Sequence, residues 1–67
     1  MSKPELLAAI RALGWHRLTS SPEKATAFHA DHPLGWQVFT QPSAGEEAVL
    51  AAFLRDIQTP ELLAKYA

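Results

Sequence analysis

The stretch GWHRLTSSPEKATAFHADHPLGWQVFTQP, residues 14–42, decides the fold. It separates into three runs suited to short strands: WHRLT at 15–19, ATAFHA at 25–30, and Trp36 to Gln41. Tryptophan, threonine, valine and phenylalanine favour a pleated, half-buried surface. Alternation puts Trp36, Val38 and Thr40 on one face of the third run, with Gln37, Phe39 and Gln41 on the other. Between the second and third runs, Asp31-His32-Pro33-Leu34-Gly35 reads as a turn. Pro33 disfavours helix at His32, and Gly35 accepts the positive φ a reversal needs.

The joint between the first two runs has two readings. Pro22 presets φ for the second position of a hairpin turn. Alternatively, Ser21 caps a helix that starts at Pro22 and draws on the helix propensity of Ala25, Ala27 and Ala30. The hairpin is preferred, because Thr26, Phe28 and Ala30 then alternate and the third strand gains a neighbour.

Outward from this meander, each flank carries helix signals. Ser2 and Glu5 have capping-box spacing, Pro4 suits a first turn, and Leu6, Ile10 and Leu13 share a face before Gly14 stops the helix. That gives a helix over 3–13. Ser43 and Glu46 repeat the spacing, and Val49, Leu50, Phe53, Leu54 and Ile57 form a broad apolar stripe, so a second helix is expected over 44–57. Thr59-Pro60-Glu61 opens a short helix, 60–66, carrying Leu62, Leu63 and Tyr66. It is too short to hold itself and has to dock. The expectation is a single α+β domain over 1–67. Its order is α-β-β-β-α(-α), with an antiparallel three-stranded meander and both main helices on one face.

Sixty-seven residues bury a modest core, and without cysteine no disulfide or thiolate metal site supports it. With 48% hydrophobic residues, much of that alanine, a homodimer or a protein partner is the expected support. A net charge of −1 argues against tight nucleic-acid binding, since neutralised phosphates supply most of that affinity. Lys3, Arg11, Arg17, Lys24, Arg55 and Lys65 are scattered and make no phosphate track. No run reaches membrane-spanning length and the opening residues carry no signal-peptide pattern, so the expected location is the cytoplasm.

The chemistry-bearing residues collect around the second turn. His29, Asp31 and His32 are metal-ligand types, although neighbours on a turn diverge and Asp31 equally suits bonding to nearby backbone. His16 and His29 lie side by side if the first two strands pair, and imidazoles so placed can move protons near neutral pH. Arg17 or Lys24 would then face the phosphate. The plain reading is two histidines on a sheet by chance. Trp36 and Phe39 point to opposite sides of their strand, which leaves one aromatic set for base stacking or a protein contact.

Glu5-Leu6-Leu7 through Leu13-Gly14-Trp15, Phe28 with the His-Pro turn, Val38 to Pro42, and Val49 to Ile57 together resemble the HicA family of small mRNA-cleaving toxins. That family shares its helix–strand–strand–strand–helix order with double-stranded-RNA-binding domains. The resemblance implies this fold and a toxin–antitoxin setting. The family's catalytic histidine lies in a Gly-Ser-His motif, which Glu23-Lys24-Ala25 replaces here, so no catalytic residue carries over. The expectation is a non-catalytic interaction module of phage or mobile-element type, using no cofactor. It would bind a protein partner or itself through Trp36, Phe39, Arg17, Lys24, Leu62, Leu63 and Tyr66. The alternatives are a ribonuclease with a relocated histidine, His16 or His29, and a weak RNA-binding domain.

Overall fold

The structure is a computed structural model and describes residues 1–65. Helix α1 spans Lys3–Ala12, and strands β1 (His16–Ser21), β2 (Lys24–His29) and β3 (His32–Phe39) follow. A 3-10 turn at Pro42–Ala44 then leads to α2 (Glu46–Ile57) and the short α3 (Pro60–Lys65). The sheet is an antiparallel meander in the order β1-β2-β3. The α+β class and the order of elements are those expected, and residues 24–29 are strand, not helix.

Helix α1 starts as its sequence spells. The Ser2 backbone N–H donates to the Glu5 carboxylate at 3.1 Å, and the Ser2 hydroxyl donates to it at 2.8 Å. These two bonds, the backbone one foremost, hold the Glu5 carboxyl below the ordinary glutamate range. The second capping box does not form. Gly45 is the N-cap of α2, residues 42–44 form the 3-10 turn, and the helix starts at Glu46 instead of 44. The Glu46 carboxylate has gone elsewhere: the Ser20 hydroxyl donates to it at 2.5 Å, and Lys3 Nζ lies 2.9 Å away. One side chain thus ties β1, α1 and α2 together.

The strand bounds also shift. The third strand begins at His32 and not at Trp36, so the turn shrinks to Ala30 and Asp31. Pro33 is tolerated there because β3 is an edge strand, where a missing N–H need not break a ladder bond. Thr40 and Gln41 fall beyond the strand, yet the Thr40 N–H still donates to the Glu23 carbonyl at 3.1 Å. Two bulges bend the sheet. Between the pairs His16–Phe28 and Thr19–Thr26, β1 advances one residue more than β2, and Arg17 absorbs it at φ 54°. Between Ala27–Trp36 and His29–His32, β3 advances two residues more than β2, with Gly35 at φ 84°.

One face of the sheet carries the core. Ala25 and Ala27 of the central strand are fully buried beside Val49, Leu50 and Phe53 of α2. Alanine at both positions lets the helix approach the strand closely. Leu6 and Ile10 of α1, Trp15, Trp36, Val38 and Ile57 complete the cluster, with Leu63 of α3 against it. Phe53 meets the Trp15 ring edge-on, centroids 5.6 Å apart. No helix among the described residues is long and apolar enough to cross a membrane.

Candidate functional site

Cross-strand partners share a face, so the register sorts the side chains. Ala25 with Val38 and Ala27 with Trp36 face the helices. His16 with Phe28, Thr19 with Thr26, Ser21 with Lys24, and then Gln37 and Phe39, face the uncovered side. His29, the neighbour of Phe28, therefore looks the other way from His16. The side-by-side pair expected of His16 and His29 does not exist, and a proton relay between them has no geometry to use.

His29 instead joins an aromatic cluster at one end of the core. Its ring lies 5.1 Å from Trp15 and 5.9 Å from His32, while His32 stacks on Trp15 at 5.7 Å with planes 7° apart. Gly14, at φ 94°, lies so close to this imidazole that a Cβ there would come within 2.8 Å of His29 Nε2. Asp31 donates its backbone N–H to His29 Nδ1 at 3.0 Å, which places the ring proton on Nε2. With Nδ1 occupied and the Asp31 carboxylate exposed 3.8 Å away, His29, Asp31 and His32 do not converge on a common point. Among the described residues no three histidine, cysteine or acidic side chains gather as a ligand set. These histidines pack and close the hairpin.

The expected binding residues distribute around β3. Phe39 is 65% exposed on the uncovered face, with Lys24 Nζ 5.7 Å from its ring centroid. Trp36 is buried on the helix side, where it lines a cleft of about 520 Å³ together with Leu34, Gly35, Gln37, Asp56 and Leu62. Leu62 is 37% exposed in that cleft, whereas Leu63 docks on the core. Arg17 is exposed in the β1 bulge, on the far edge from this cluster. Tyr66 lies outside the described residues. Sequence reasoning missed Leu34, taken as a turn residue and here 94% exposed on the β3 bulge. Its signal was a bare leucine between proline and glycine.

Compared with protein families, curated proteins and solved structures, the chain matches none.

Proposed function

We propose that the chain is a non-catalytic interaction module that binds protein along the outer edge of β3. One observation carries this. The exposed large hydrophobic side chains among the described residues are Met1, Leu13, Leu34, Phe39 and Leu62; Leu34 and Phe39 lie on β3, and Leu62 lies in the cleft beside it. Single exposed hydrophobics are ordinary, but a group along one edge beside a cleft of mixed lining, with Leu34, Trp36 and Leu62 next to Gln37 and Asp56, fits an interaction site. Covering a fully exposed side chain of this size is worth about 1.5–3 kcal/mol; Leu34, 94% exposed, has the most to gain, and Leu62, 37% exposed, the least.

The ribonuclease alternative gains nothing from the geometry, since His16 and His29 face opposite ways and Glu23-Lys24 form the bend and first strand residue where the catalytic motif would fall. Among the described residues RNA binding has Lys24 and Arg17 on the sheet to meet phosphates, since the nearby Lys3 is paired with Glu46. The test is affinity capture with the wild-type chain and with a Leu34→Lys/Phe39→Lys double variant, each with and without ribonuclease. The expected result is a protein, or the chain itself, held by the wild type, lost in the double variant and indifferent to ribonuclease. Recovery of RNA that is lost on Arg17→Ala/Lys24→Ala would favour the RNA reading instead. Growth arrest on expression that vanishes with His16→Ala or His29→Ala would favour the enzyme.

A further inference from the structure

The two edges of the sheet are not equally guarded. At β1, Lys24 and Thr26 of the central strand turn their backbone groups toward Ser21 and Thr19, so Ser20 turns its own outward. Beside that position the Ser20 hydroxyl is bound to Glu46, which is paired with Lys3, so two charged side chains stand at this edge. Next to it the Arg17 bulge breaks the strand line. Charges and bulges of this kind are how an edge refuses a further strand.

The β3 edge has neither over residues 36–41. Trp36 to Phe39 is in unbroken register with β2, and no charged side chain occurs between His32 and Gln41. The Thr40 N–H bond to Glu23 fixes the phase of the ladder. Counting back by twos, Val38 and Trp36 direct their backbone groups to β2, and Gln37 and Phe39 direct theirs outward. Two residues whose outward N–H and C=O groups have no partner among the described residues thus form a short window, closed at one end by the Gly35 bulge and at the other by Pro42.

We infer that the occupant of this window is the β3 strand of a second copy, running antiparallel about a two-fold axis at Val38. The inference rests on the protein-binding reading above. Gln37 and Phe39 of one copy then meet Phe39 and Gln37 of the other, and all four residues pair their outward backbone groups. Antiparallel pairing also carries the partner's uncharged Pro42–Ala44 turn alongside the cleft of Leu34, Trp36 and Leu62, and sets the Gln37 side chain of one copy beside the Phe39 ring of the other. A standard interface takes about 800 Å² from each partner, just under a fifth of the 4322 Å² surface here. The β3 edge lies between the cleft on the helix side, lined by Trp36 and Leu62, and the exposed Phe39 on the other side. The outer strands of the resulting six-stranded sheet are both β1, whose guarded edges stop further growth. That closure favours a two-fold dimer over an open chain.

The decisive experiment is sedimentation of the wild-type chain over roughly 1–300 µM, where a small interface associates. The expected result is a shift from 7.4 kDa to twice that mass. Gln37→Pro removes an N–H that β2 does not use, so the monomer folds and the dimer weakens at least tenfold. Phe39→Lys gives the same loss without altering the backbone. Because the chain has no cysteine, Val38→Cys offers a single thiol at the axis. Facing residues of this non-hydrogen-bonded type lie about 4.5 Å apart, within disulfide reach. It should cross-link at least tenfold faster than Thr19→Cys. A chain that stays at 7.4 kDa, or a dimer that survives both Gln37→Pro and Phe39→Lys, overturns the inference. If that monomer still captures a protein through Leu34 and Phe39, self-pairing alone falls; if it captures nothing, the protein-binding reading falls too.

Discussion

Strand β2 presents two faces to different surroundings. Ala25 and Ala27 are fully buried under α2, whereas Lys24, Thr26 and Phe28 look out from a side that no described element covers. The covered face uses small residues on the strand and large ones on the helix, so close approach supplies the packing. The uncovered face keeps long and aromatic side chains that touch only their neighbours across the strands. Stability therefore belongs to one face, while no described element covers the other face or pairs with the adjoining β3 edge.

The largest effect that would break this division is at Phe53, fully buried between Trp15 and the sheet. Phe53→Ala should cost about 3–5 kcal/mol. In a domain of this size that matches or exceeds the total stability, and the variant should be unfolded or nearly so. A cooperative melt at the wild-type temperature would mean that the core does not depend on this face of α2.

The covered face was legible in α2, from helical spacing, and in Trp36 and Val38 of β3. In β2 the alternation that suggests a strand runs through Thr26, Phe28 and Ala30, whereas the buried residues are Ala25 and Ala27. What escaped the sequence depends on long-range contacts. Ser2-Glu5 and Ser43-Glu46 have the same spacing, but only the first pair caps a helix. Glu46 is drawn to Ser20 and Lys3, which are adjacent only after folding. Arg17 adopts a left-handed φ that glycine or asparagine would signal; it sits there because both flanks of β1 are held by β2. The His29 and Trp15 contact was equally invisible, and without it the histidines looked like ligands or acid–base groups. The early start of β3 was hidden by Pro33, which reads as a strand breaker until the strand is known to lie at an edge.

A smaller effect is expected where β3 bends between the two faces. Gly35 has φ 84°, and a Cβ there would lie 2.9 Å from the Phe28 ring and 3.1 Å from the Ala27 carbonyl oxygen. Gly35→Ala combines a left-handed alanine with this crowding, so a loss of about 1–3 kcal/mol is expected in urea unfolding. An unchanged midpoint would show that the bulge is not held as described. The bulge would then no longer close one end of the β3 window.

The uncovered face should answer in the opposite sense. The Thr26 hydroxyl oxygen is buried without a hydrogen-bond partner in the middle of that face. Thr26→Val keeps the shape and β-branching while removing the unpaired group. It should raise stability by about 1 kcal/mol. Loss of stability on this change would mean that the hydroxyl has a partner in solution and that this face also contributes to stability.

The smallest effect tests the tie that keeps the helices on their side. The hydrogen bond from Ser20, then that from Lys3, and the Lys3 charge hold the Glu46 carboxyl below the ordinary glutamate value of 4.5. A carboxyl lowered on folding contributes stability that is present above the unfolded value. The contribution fades as pH falls through the lower, folded value. The wild-type melting temperature should therefore drop below pH 4.5, and Glu46→Gln should flatten part of that drop while lowering stability at pH 7. Glu5 is shifted in the same direction by Ser2, so some acid sensitivity remains in the variant. Added salt should shrink the difference at pH 7, because Lys3 is half-exposed and its charge is screened. Identical acid profiles for wild type and Glu46→Gln would show that the carboxylate bridges β1 and α1 only loosely. The guarded state of the β1 edge would then rest on the Arg17 bulge alone.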